Sequence, residues 1–379
     1  MNFVDQRFKI SNEADIQKFS YADRSAGQSQ DKTLRSLQDL RDARLISENE
    51  TELLQDVVGK YAVAVTSDIV DLIDETDPAD PMARQFIPTI GEMDLRADEE
   101  SDPIGDGLKS PVRGLVHRYH DRVLLKAVGV CPVYCRFCFR REMVGPENNG
   151  NLTDRELDLA VGYIAEHPEI WEVIVSGGDP LVLSPRRLKE LTERLAAIEH
   201  VKIIRWHTRV PVVSPKLVTD ELVAALTATS KSVYVAVHSN HPRELTDAAR
   251  AACRKLAGRG VTLISQSVLL RGVNDDVETL EALMRGFVET GIKPYYLHHM
   301  DKAPGTGHFR VPIETGQMLV QQLRHRLSGL AMPTYVLDIP GAHGKVPIGP
   351  EYIERDPHDT DSYVVTDPNG VQHRYQDSR

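Results

Sequence analysis

The chain has 379 residues, of which 41% are hydrophobic and 27% are charged, and its mean hydropathy is -0.32. This composition excludes collagen-like and disordered chains, and no apolar run reaches the roughly 20 residues of a membrane helix. The formal charge of -11 argues against a broad surface for nucleic acid or anionic membrane. The N-terminus shows no signal-peptide pattern, so we expect a soluble cytoplasmic protein.

The first predicted unit, residues 1 to about 90, is polar and has apolar residues at helical spacing. Leu34, Leu37 and Leu40 form one such group, and residues 53–58 contain another. The acidic stretch 93–110 has no sustained apolar period, which is typical of a connecting loop. We therefore predict three segments along the chain: an N-terminal helical extension (1–90), a central domain (91–330) and a C-terminal segment (331–379).

The central domain alternates short apolar runs with amphipathic segments. The predicted strands lie at 124–130, 172–177, 202–208, 233–238, 261–268 and 293–299. The predicted helices lie at 185–199, 216–229, 242–258, 277–290 and 315–328. Such alternation indicates an α/β fold with a parallel sheet, and six units favour a full or partial barrel over a doubly wound sheet. A seventh run, 333–341, precedes a polar tail that we expect to cover the edge of the sheet.

Three of the four cysteines, Cys131, Cys135 and Cys138, lie within eight residues directly after the first of these strands. All three sulfurs can reach one inorganic centre from so compact a loop. A structural zinc site normally needs four protein ligands, and the remaining cysteine, Cys253, falls in a predicted helix where it is expected to fill the core. Three ligands favour a 4Fe-4S cluster with one open iron, with zinc or three unconnected core cysteines as alternatives.

A Ser-Gly-Gly-Asp-Pro turn follows the next strand. Glycines let the backbone approach a bound amino acid, and a carboxylate can accept its ammonium group. On its own such a turn is more often a plain connection, but the preceding Cys-x3-Cys-x2-Cys spacing resembles the radical S-adenosylmethionine superfamily. In that superfamily the open iron chelates the methionyl amine and carboxylate. The resemblance implies that the turn binds S-adenosylmethionine through Ser176, Gly177, Gly178 and Asp179.

Two other segments suit a second cofactor. Arg118 and Arg122 place two guanidiniums beside the first strand, an arrangement that suits a phosphate, although a solvated basic patch is the plainer interpretation. Lys345 lies in a glycine-bearing loop that is not a Walker A motif, because Val346 follows the lysine. An accessible lysine can react with a carbonyl group such as that of pyridoxal phosphate, whereas a surface lysine is the usual case.

From about residue 90 to 350 the chain resembles the lysine 2,3-aminomutase family. The matching segments are HRYHDRVLL, CPVYCRFCFRR, SGGDP, HSNHP, QSVLLRGVND, KPYYLHHMDKAPGTGHFR and PTYVLDIPGAHGK. The resemblance implies a partial (β/α)6-type radical S-adenosylmethionine barrel with an N-terminal helical extension and a C-terminal edge segment. It also implies that Lys345 carries pyridoxal phosphate. The accompanying cofactor-binding residues would be Arg118, Tyr119, Arg122, His238 and Gln266.

The same resemblance assigns both ends of an amino-acid substrate. Arg140 matches the arginine that pairs with the carboxylate, and Asp301 and Asp338 match the carboxylates that hold the ε-ammonium of lysine. A buried cation needs compensating charge, so two aspartates discriminate against amino acids without a terminal cation. The implied reaction uses an adenosyl radical to remove a hydrogen from the β-carbon, and the α-amino group then moves from C2 to C3 to give β-lysine.

Some positions depart from the family pattern. Asp276 stands where clostridial members have a zinc-binding cysteine, so we expect no structural zinc, and His343 stands where glycine is commoner. The segments FCFRR and YYLHHMDK also resemble a branch of the family that acts in elongation factor P modification, but that branch often lacks a counterpart of Asp338. The alternatives are therefore an aminomutase for another amino acid, one for protein modification, or a non-catalytic iron-sulfur or zinc protein. The expected partners are lysine, an electron donor such as flavodoxin or ferredoxin, and a second copy of the chain, with no nucleic acid or membrane.

Overall fold

A computed structural model describes residues 32–145, 151–359 and 361–377. Within these residues one sheet has nine strands: β1 (Leu115–Tyr119), β2 (Arg122–Val128), β3 (Glu172–Gly177), β4 (Ile203–Thr208), β5 (Ser232–His238), β6 (Thr262–Val268), β7 (Lys293–His298), β8 (Thr334–Ile339) and β9 (Gly344–Pro347). Strands β2 to β8 pair in parallel and in chain order. Strands β1 and β9 pair antiparallel with β2 and β8 at the two edges.

Helices connect the parallel strands and precede the sheet. They are α1 (Leu37–Asp42), α2 (Glu48–Leu53), α3 (Gln55–Lys60), α4 (Ser67–Val70), α5 (Pro81–Phe86), α6 (Asp154–Glu166), α7 (Pro185–Ala196), α8 (Val210–Val213), α9 (Asp220–Leu226), α10 (Asp247–Ala257), α11 (Val277–Glu289) and α12 (Ile313–Arg326). Each of β2 to β7 is followed by at least one helix, and β8 is the seventh parallel strand. The predicted (β/α)6-type barrel is therefore confirmed.

Local sequence signals explain where the helices begin. Side chains of Thr153, Ser184, Thr246 and Asp276 cap α6, α7, α10 and α11 by accepting a hydrogen bond from a backbone amide two or three residues inside the helix. Asp276 thus has a structural role as a helix cap. The parallel strands have few exposed residues because helices cover one face and the barrel interior occupies the other.

The polar tail differs from the simple edge-covering segment that we predicted. Its first part, β9, does extend the edge of the large sheet, but the following residues form a separate antiparallel sheet. That sheet consists of β10 (Ile353–Arg355), β11 (Ser362–Thr366) and β12 (Gln372–Gln376). Its strands are rich in charged and polar residues, which hides them from a search for apolar runs.

The N-terminal helices pack directly on the barrel. Leu40, Val57 and Phe86 belong to the same continuous buried cluster as Val173 and Val235 of the strands. This agrees with the predicted helical character of residues 32–90, while the rest of the predicted extension, residues 1–31, lies outside the described residues. The division into three segments remains a proposal. No helix among the described residues is long and apolar enough to cross a membrane.

Candidate active site

A cavity of about 340 Å³ opens at the carboxyl ends of the parallel strands. Every residue that the sequence singled out as a site residue lines this cavity. They are Arg118, Tyr119, Arg122, Cys131, Cys135, Cys138, Arg140, Ser176, Gly177, Gly178, Asp179, His238, Gln266, Asp301, Asp338 and Lys345. The barrel therefore brings together side chains that are separated by more than 200 positions in the chain.

The three cysteines of the loop after β2 face one end of this cavity. Burial raises the pKa of the Cys138 thiol to about 11 and raises the pKa of Cys131 and Cys135 as well. Thiolates this deep need positive charge beside them, and a bound iron centre supplies it while deprotonating its ligands. The residues thus fit a 4Fe-4S cluster with three cysteine ligands.

Arg209 supplies one positive group to the cysteine loop. Its Nη1 lies 2.8 Å from Sγ of Cys135, and its Nη2 donates to Glu244 at 2.6 Å and to Gln85 at 2.8 Å. Glu244 and Gln85 are fully buried. Sequence reasoning missed all three residues, because neither Gln85 nor Glu244 lies in a motif that names a site.

Residues that precede the first strand of the sheet hold the cysteine loop in place through a second buried carboxylate. Glu92 accepts hydrogen bonds from Arg136 at 2.5 and 3.0 Å and also pairs with Arg141. Burial alone would raise the pKa of Glu92, but these two arginines hold it below its usual range. The backbone amide of Tyr134 also donates to the Ala64 carbonyl at 3.0 Å. The loop is therefore fixed by Glu92 and Ala64, which both precede the strands of the barrel.

The glycines of the turn after β3 allow two backbone segments to approach closely. Gly177 has a positive φ of 118°, and a Cβ atom there would lie 2.2 Å from the carbonyl oxygen of Val128. A Cβ atom on Gly178 would lie 2.3 Å from the carbonyl oxygen of Val130. Both glycines therefore let this turn pack against the start of the cysteine loop, a requirement additional to the predicted approach of a bound amino acid.

Asp179 is buried and already holds the neighbouring turn. Its carboxylate accepts hydrogen bonds from Thr208 Oγ1 at 2.7 Å and from the backbone amides of Arg209 at 2.6 Å, Leu181 at 3.1 Å and Val210 at 3.2 Å. Both oxygens are thus occupied by the protein. A contact between Asp179 and the ammonium of S-adenosylmethionine stays a prediction.

Lys345 lines another part of the cavity, called here the Lys345 end, where β9 begins. Its Nζ is 2.5 Å from Oδ2 of Asp338 and 3.5 Å from Nδ1 of His298. The backbone amide of Lys345 donates to the Tyr119 hydroxyl at 2.8 Å, which links the two edge strands of the sheet across the barrel opening. Burial works against the Asp338 carboxylate, but His298 and Lys345 hold its pKa well below the usual range. Burial and Lys345 lower the pKa of His298 to about 4, so this ring is neutral.

Asp301 shares this end of the cavity but is poorly compensated. Its burial, and then the negative charge of Asp338, raise the pKa of Asp301 to about 7. A cation placed between the two carboxylates would favour the ionised form of both. This pair fits the predicted binding site for a terminal ammonium group.

Arg118 and Arg140 are joined by a carboxylate that the sequence did not single out. Asp106 accepts from Nη2 of Arg118 at 3.0 Å through Oδ1, and from Nη2 of Arg140 at 3.0 Å through Oδ2. Lys126 Nζ lies 3.7 Å from the same Oδ2. Asp106 falls in the acidic stretch that we interpreted only as a connecting loop, and nothing in that composition distinguishes it from its exposed neighbours.

Cations exceed carboxylates around this end of the cavity. Arg122 pairs with Asp121 at 2.7 Å and Arg205 with Glu172 at 3.1 Å. Among the described residues the remaining positive groups pair with Asp106 and Asp338, with the half-ionised Asp301 nearby and Asp102 close to Lys126; they are Arg118, Lys126, Arg140 and Lys345. Among the described residues the buried Nε of Arg118 has no hydrogen-bond partner. An excess of buried positive charge beside a lysine fits pyridoxal phosphate, whose phosphate is a dianion.

The remaining predicted cofactor residues lie around the same volume. The guanidinium of Arg122 stacks on the Tyr119 ring at 3.8 Å, and His238 Nε2 lies 3.2 Å from Oδ1 of Asn240. Gln266 is opposite His238 in the register of β5 and β6. His343, which stands in the same loop as Lys345, is not among the described residues that line the cavity.

Comparison with known families defines the class of this fold and site. The family described as the radical SAM superfamily matches residues 126–284, which contain the three cysteines, strands β3 to β6 and the end of β2. A second family, described as lysine-2,3-aminomutase, matches residues 320–378, which contain Asp338 and Lys345. The protein is thus a radical S-adenosylmethionine enzyme with a 4Fe-4S cluster and S-adenosylmethionine as cofactors.

Curated relatives narrow this class. An L-lysine 2,3-aminomutase from Fusobacterium nucleatum is 40% identical over 86% of this chain and 76% of its own. Its counterpart from Clostridium subterminale is 39% identical over 86% of this chain and 78% of its own. A glutamate 2,3-aminomutase from Clostridioides difficile is 34% identical over 81% of this chain and 72% of its own. The chain belongs to the lysine 2,3-aminomutase family of isomerases, which use pyridoxal phosphate as a further cofactor.

Proposed function

We propose that this enzyme moves the α-amino group of free L-lysine from C2 to C3 and so forms β-lysine. The observation that carries the proposal is the carboxylate pair at the Lys345 end of the cavity. Asp338, which is only 7% exposed, already holds a primary alkylammonium group at 2.5 Å, and Asp301 lies in the same pocket. A site that accepts the ammonium of one lysine side chain suits the same group on a lysine substrate.

The role that we assign to Lys345 leaves Asp338 in need of another cation. With pyridoxal phosphate bound to its nitrogen, Lys345 would no longer supply an ammonium charge to Asp338. Two buried carboxylates without a cation are unfavourable. The ε-ammonium of lysine restores the charge, whereas the α-carboxylate would pair with Arg140 at the other end of the substrate.

The glutamate reaction of one relative is the nearest competing function. A glutamate side chain would place a third carboxylate beside Asp301 and Asp338. Like charges in a buried pocket repel strongly, so the same pair that favours lysine rejects glutamate. An arginine substrate keeps the terminal cation and is therefore the more serious competitor on charge grounds.

The other residues take the roles that follow from their positions. Cys131, Cys135 and Cys138 would hold the cluster, and the turn from Ser176 to Asp179 would bind S-adenosylmethionine. The residues proposed to hold pyridoxal phosphate are Lys345, Arg118, Tyr119, Arg122, His238 and Gln266. When bound, these cofactors supply the radical and carry the migrating amine, while the protein orients the substrate and excludes water.

The partners of the reaction are part of the proposal. The cluster needs one electron to start the chemistry, so a flavodoxin or ferredoxin is the proposed donor. A homo-oligomer is proposed for the assembly.

The experiment is product analysis after anaerobic reconstitution with iron, sulfide, pyridoxal phosphate, S-adenosylmethionine and a strong reductant. L-lysine, L-arginine and L-glutamate are supplied separately, and chiral chromatography with mass detection follows each β-amino acid. Methionine and 5'-deoxyadenosine are measured in the same samples as a control for radical formation. We expect β-lysine to dominate. Radical formation with L-lysine returned unchanged, or β-arginine or β-glutamate as the main product, would overturn the substrate assignment.

A further inference from the structure

One carboxylate of the acidic loop, Asp106, connects the proposed cofactor-binding residues with the proposed binding site for the substrate carboxylate. Its side chain is only 2% exposed, and each of its oxygens serves a different arginine. Oδ1 accepts from Arg118, which lies among the proposed pyridoxal phosphate residues, and Oδ2 accepts from Arg140, the proposed partner of the substrate carboxylate. The two guanidiniums are thus held at a fixed separation by a single group.

The geometry of the Arg140 contact leaves one side of its guanidinium for another anion. Nε and Nη2 of Arg140 lie 3.2 and 3.0 Å from Oδ2 of Asp106. Among the described residues no hydrogen bond from Nη1 of Arg140 is observed, and the guanidinium stacks on the Phe139 ring at 4.3 Å. A carboxylate binds arginine best through two parallel N–H groups. Asp106 therefore orients the guanidinium so that its Nη1 and Nη2 side faces a substrate carboxylate.

Arg118 is fixed in a similar way. Its Nη2 donates to the Ile104 carbonyl at 2.7 Å as well as to Asp106, and its Nη1 lies 3.6 Å from Oδ1 of Asp338. A chain of charged groups therefore runs from Arg140 through Asp106 and Arg118 to Asp338 and Lys345. It spans both proposed substrate ends and the proposed cofactor lysine.

The loop itself is built to hold Asp106 in place. The backbone amides of Asp106 and Gly107 donate to the Asp102 carboxylate at 2.9 and 2.7 Å. Gly105 has a positive φ of 68°, and a Cβ atom there would lie 2.7 Å from the backbone nitrogen of Ala342. The loop of Asp106 thus packs directly on the loop that leads to Lys345. Because of this close packing, neither of the two loops can shift without moving the other.

We propose that Asp106 is a positioning residue that orients Arg118 and Arg140 together and thereby couples the binding of pyridoxal phosphate to the binding of the substrate carboxylate. The inference rests on the proposed function for the identity of these two ligands. It adds a specific residue, from a segment outside the barrel strands, through which the two binding events affect each other.

The first test replaces Asp106 with asparagine in the full-length protein. Pyridoxal phosphate is titrated by its absorbance, and lysine is titrated against the absorbance of the bound cofactor, so that both dissociation constants are obtained without turnover. Loss of a charge-assisted contact predicts that each constant rises roughly tenfold or more. The iron content should stay at the wild-type level because the cysteine loop is held by Glu92 and Arg209 instead. Two dissociation constants within about twofold of wild type would overturn the proposal.

Matched variants separate positioning from folding. Asp98→Asn removes a charge from the same loop, where Asp98 is half exposed and pairs with Lys302, and it should leave both constants unchanged. Asp106→Glu keeps the charge and should restore both constants to within roughly threefold of wild type. If Asp106→Asn does not fold, Asp106→Glu still tests whether Asp106 positions the two arginines. A folded Asp106→Glu protein that binds as poorly as a charge-free variant would contradict the proposal.

A double-mutant cycle tests whether Asp106 acts through Arg140. In an Arg140→Gln background, Asp106→Asn should have almost no further effect on lysine binding, because the group that it orients is gone. Full additivity of the two changes would overturn the positioning role. Failure of the proposed function is recognised separately. If the wild-type enzyme binds pyridoxal phosphate and cleaves S-adenosylmethionine but does not convert lysine, the substrate assignment is wrong. The effect of Asp106→Asn on the dissociation constant of pyridoxal phosphate still tests the orientation of Arg118.

Discussion

The two ends of the cavity handle buried charge in different ways. At the cysteine end each buried carboxylate is paired: Glu92 with Arg136 and Arg141, and Glu244 with Arg209. At the Lys345 end Asp106 and Asp338 are paired in the same way. Asp301, however, is buried there without an ion pair to any described residue, and its pKa is raised to about 7.

The difference shows which end is complete before any ligand binds. A buried charge that is already paired contributes a rigid support, whereas an unmatched one awaits a ligand of opposite sign. The cysteine end therefore serves as a preformed frame that needs only its metal. We propose that the charge of the Lys345 end is completed by the phosphate of pyridoxal phosphate and by the amino-acid substrate.

Removing a cluster ligand should have the largest effect. Cys138→Ala is expected to reduce reconstituted iron and to abolish S-adenosylmethionine cleavage and product formation, because two cysteines cannot hold the cluster with one iron open. Iron analysis and 5'-deoxyadenosine detection measure this directly. Cys253→Ala is the matched control, since Cys253 is a buried core residue of α10 and its loss should leave iron content unchanged. A Cys138→Ala enzyme with full iron and activity would contradict the assigned frame.

Removing the cofactor lysine should abolish product formation but spare the cysteine end. Lys345→Ala is expected to lose the absorbance of covalently bound pyridoxal phosphate and to form no β-lysine, while iron content stays at the wild-type level. Lys189→Ala on the exposed face of α7 is the control, because it removes an exposed lysine that pairs with Glu193. Retention of both covalent cofactor and activity in Lys345→Ala would refute the role of Lys345.

Neutralising the ammonium partner should weaken substrate binding by a smaller factor. Asp338→Asn is expected to raise the KM for lysine roughly tenfold to a hundredfold, which corresponds to the loss of one charged hydrogen bond. It should also reduce the preference for lysine over norleucine, which lacks the terminal cation. Asp158→Asn, a surface change on α6, is the control. An unchanged preference between the two amino acids would remove Asp338 from substrate recognition.

The smallest predicted effect is a pH dependence caused by Asp301. Because its pKa is raised to about 7, the ionised fraction falls below neutral pH, and the KM for lysine should then rise by up to about tenfold per pH unit. Asp301→Asn should flatten this profile. The unliganded folded state holds this proton more tightly than the unfolded state, so the contribution to stability is present below about pH 4 and is lost as the pH rises through about 7. Equal KM profiles in both proteins would contradict the assignment.

Much of the architecture was predictable because it is encoded locally. Apolar runs and amphipathic segments predicted β3 and the start of α11 at their observed residues. Strand β1 and helix α6 were missed. The residues of β1 include His117 and Arg118, and a strand of five residues with two polar side chains carries little apolar signal.

The site was predictable to a different degree at its two ends. The cysteines are close in the chain, so their spacing alone indicated an inorganic centre. Arg140, Asp301 and Asp338 were singled out only by resemblance to a family. Lys345 was noted from its glycine-bearing loop, but its cofactor role came from the resemblance, and the convergence of all four in one cavity was seen only in the folded barrel. Their roles as ligand-binding residues remain proposals that the variants above test.

By itself the sequence determined the alternation of strands and helices, the three-cysteine loop and the excess of acidic residues overall. Only the tertiary structure decided which charges face one another. Asp106 lies in the acidic stretch 93–110 and Glu92 directly precedes it; most carboxylates of that stretch are exposed, yet these two are buried against arginines. The reason is physical: a cation pairs with whichever carboxylate the fold brings within about 4 Å, and spacing along the chain does not encode that distance.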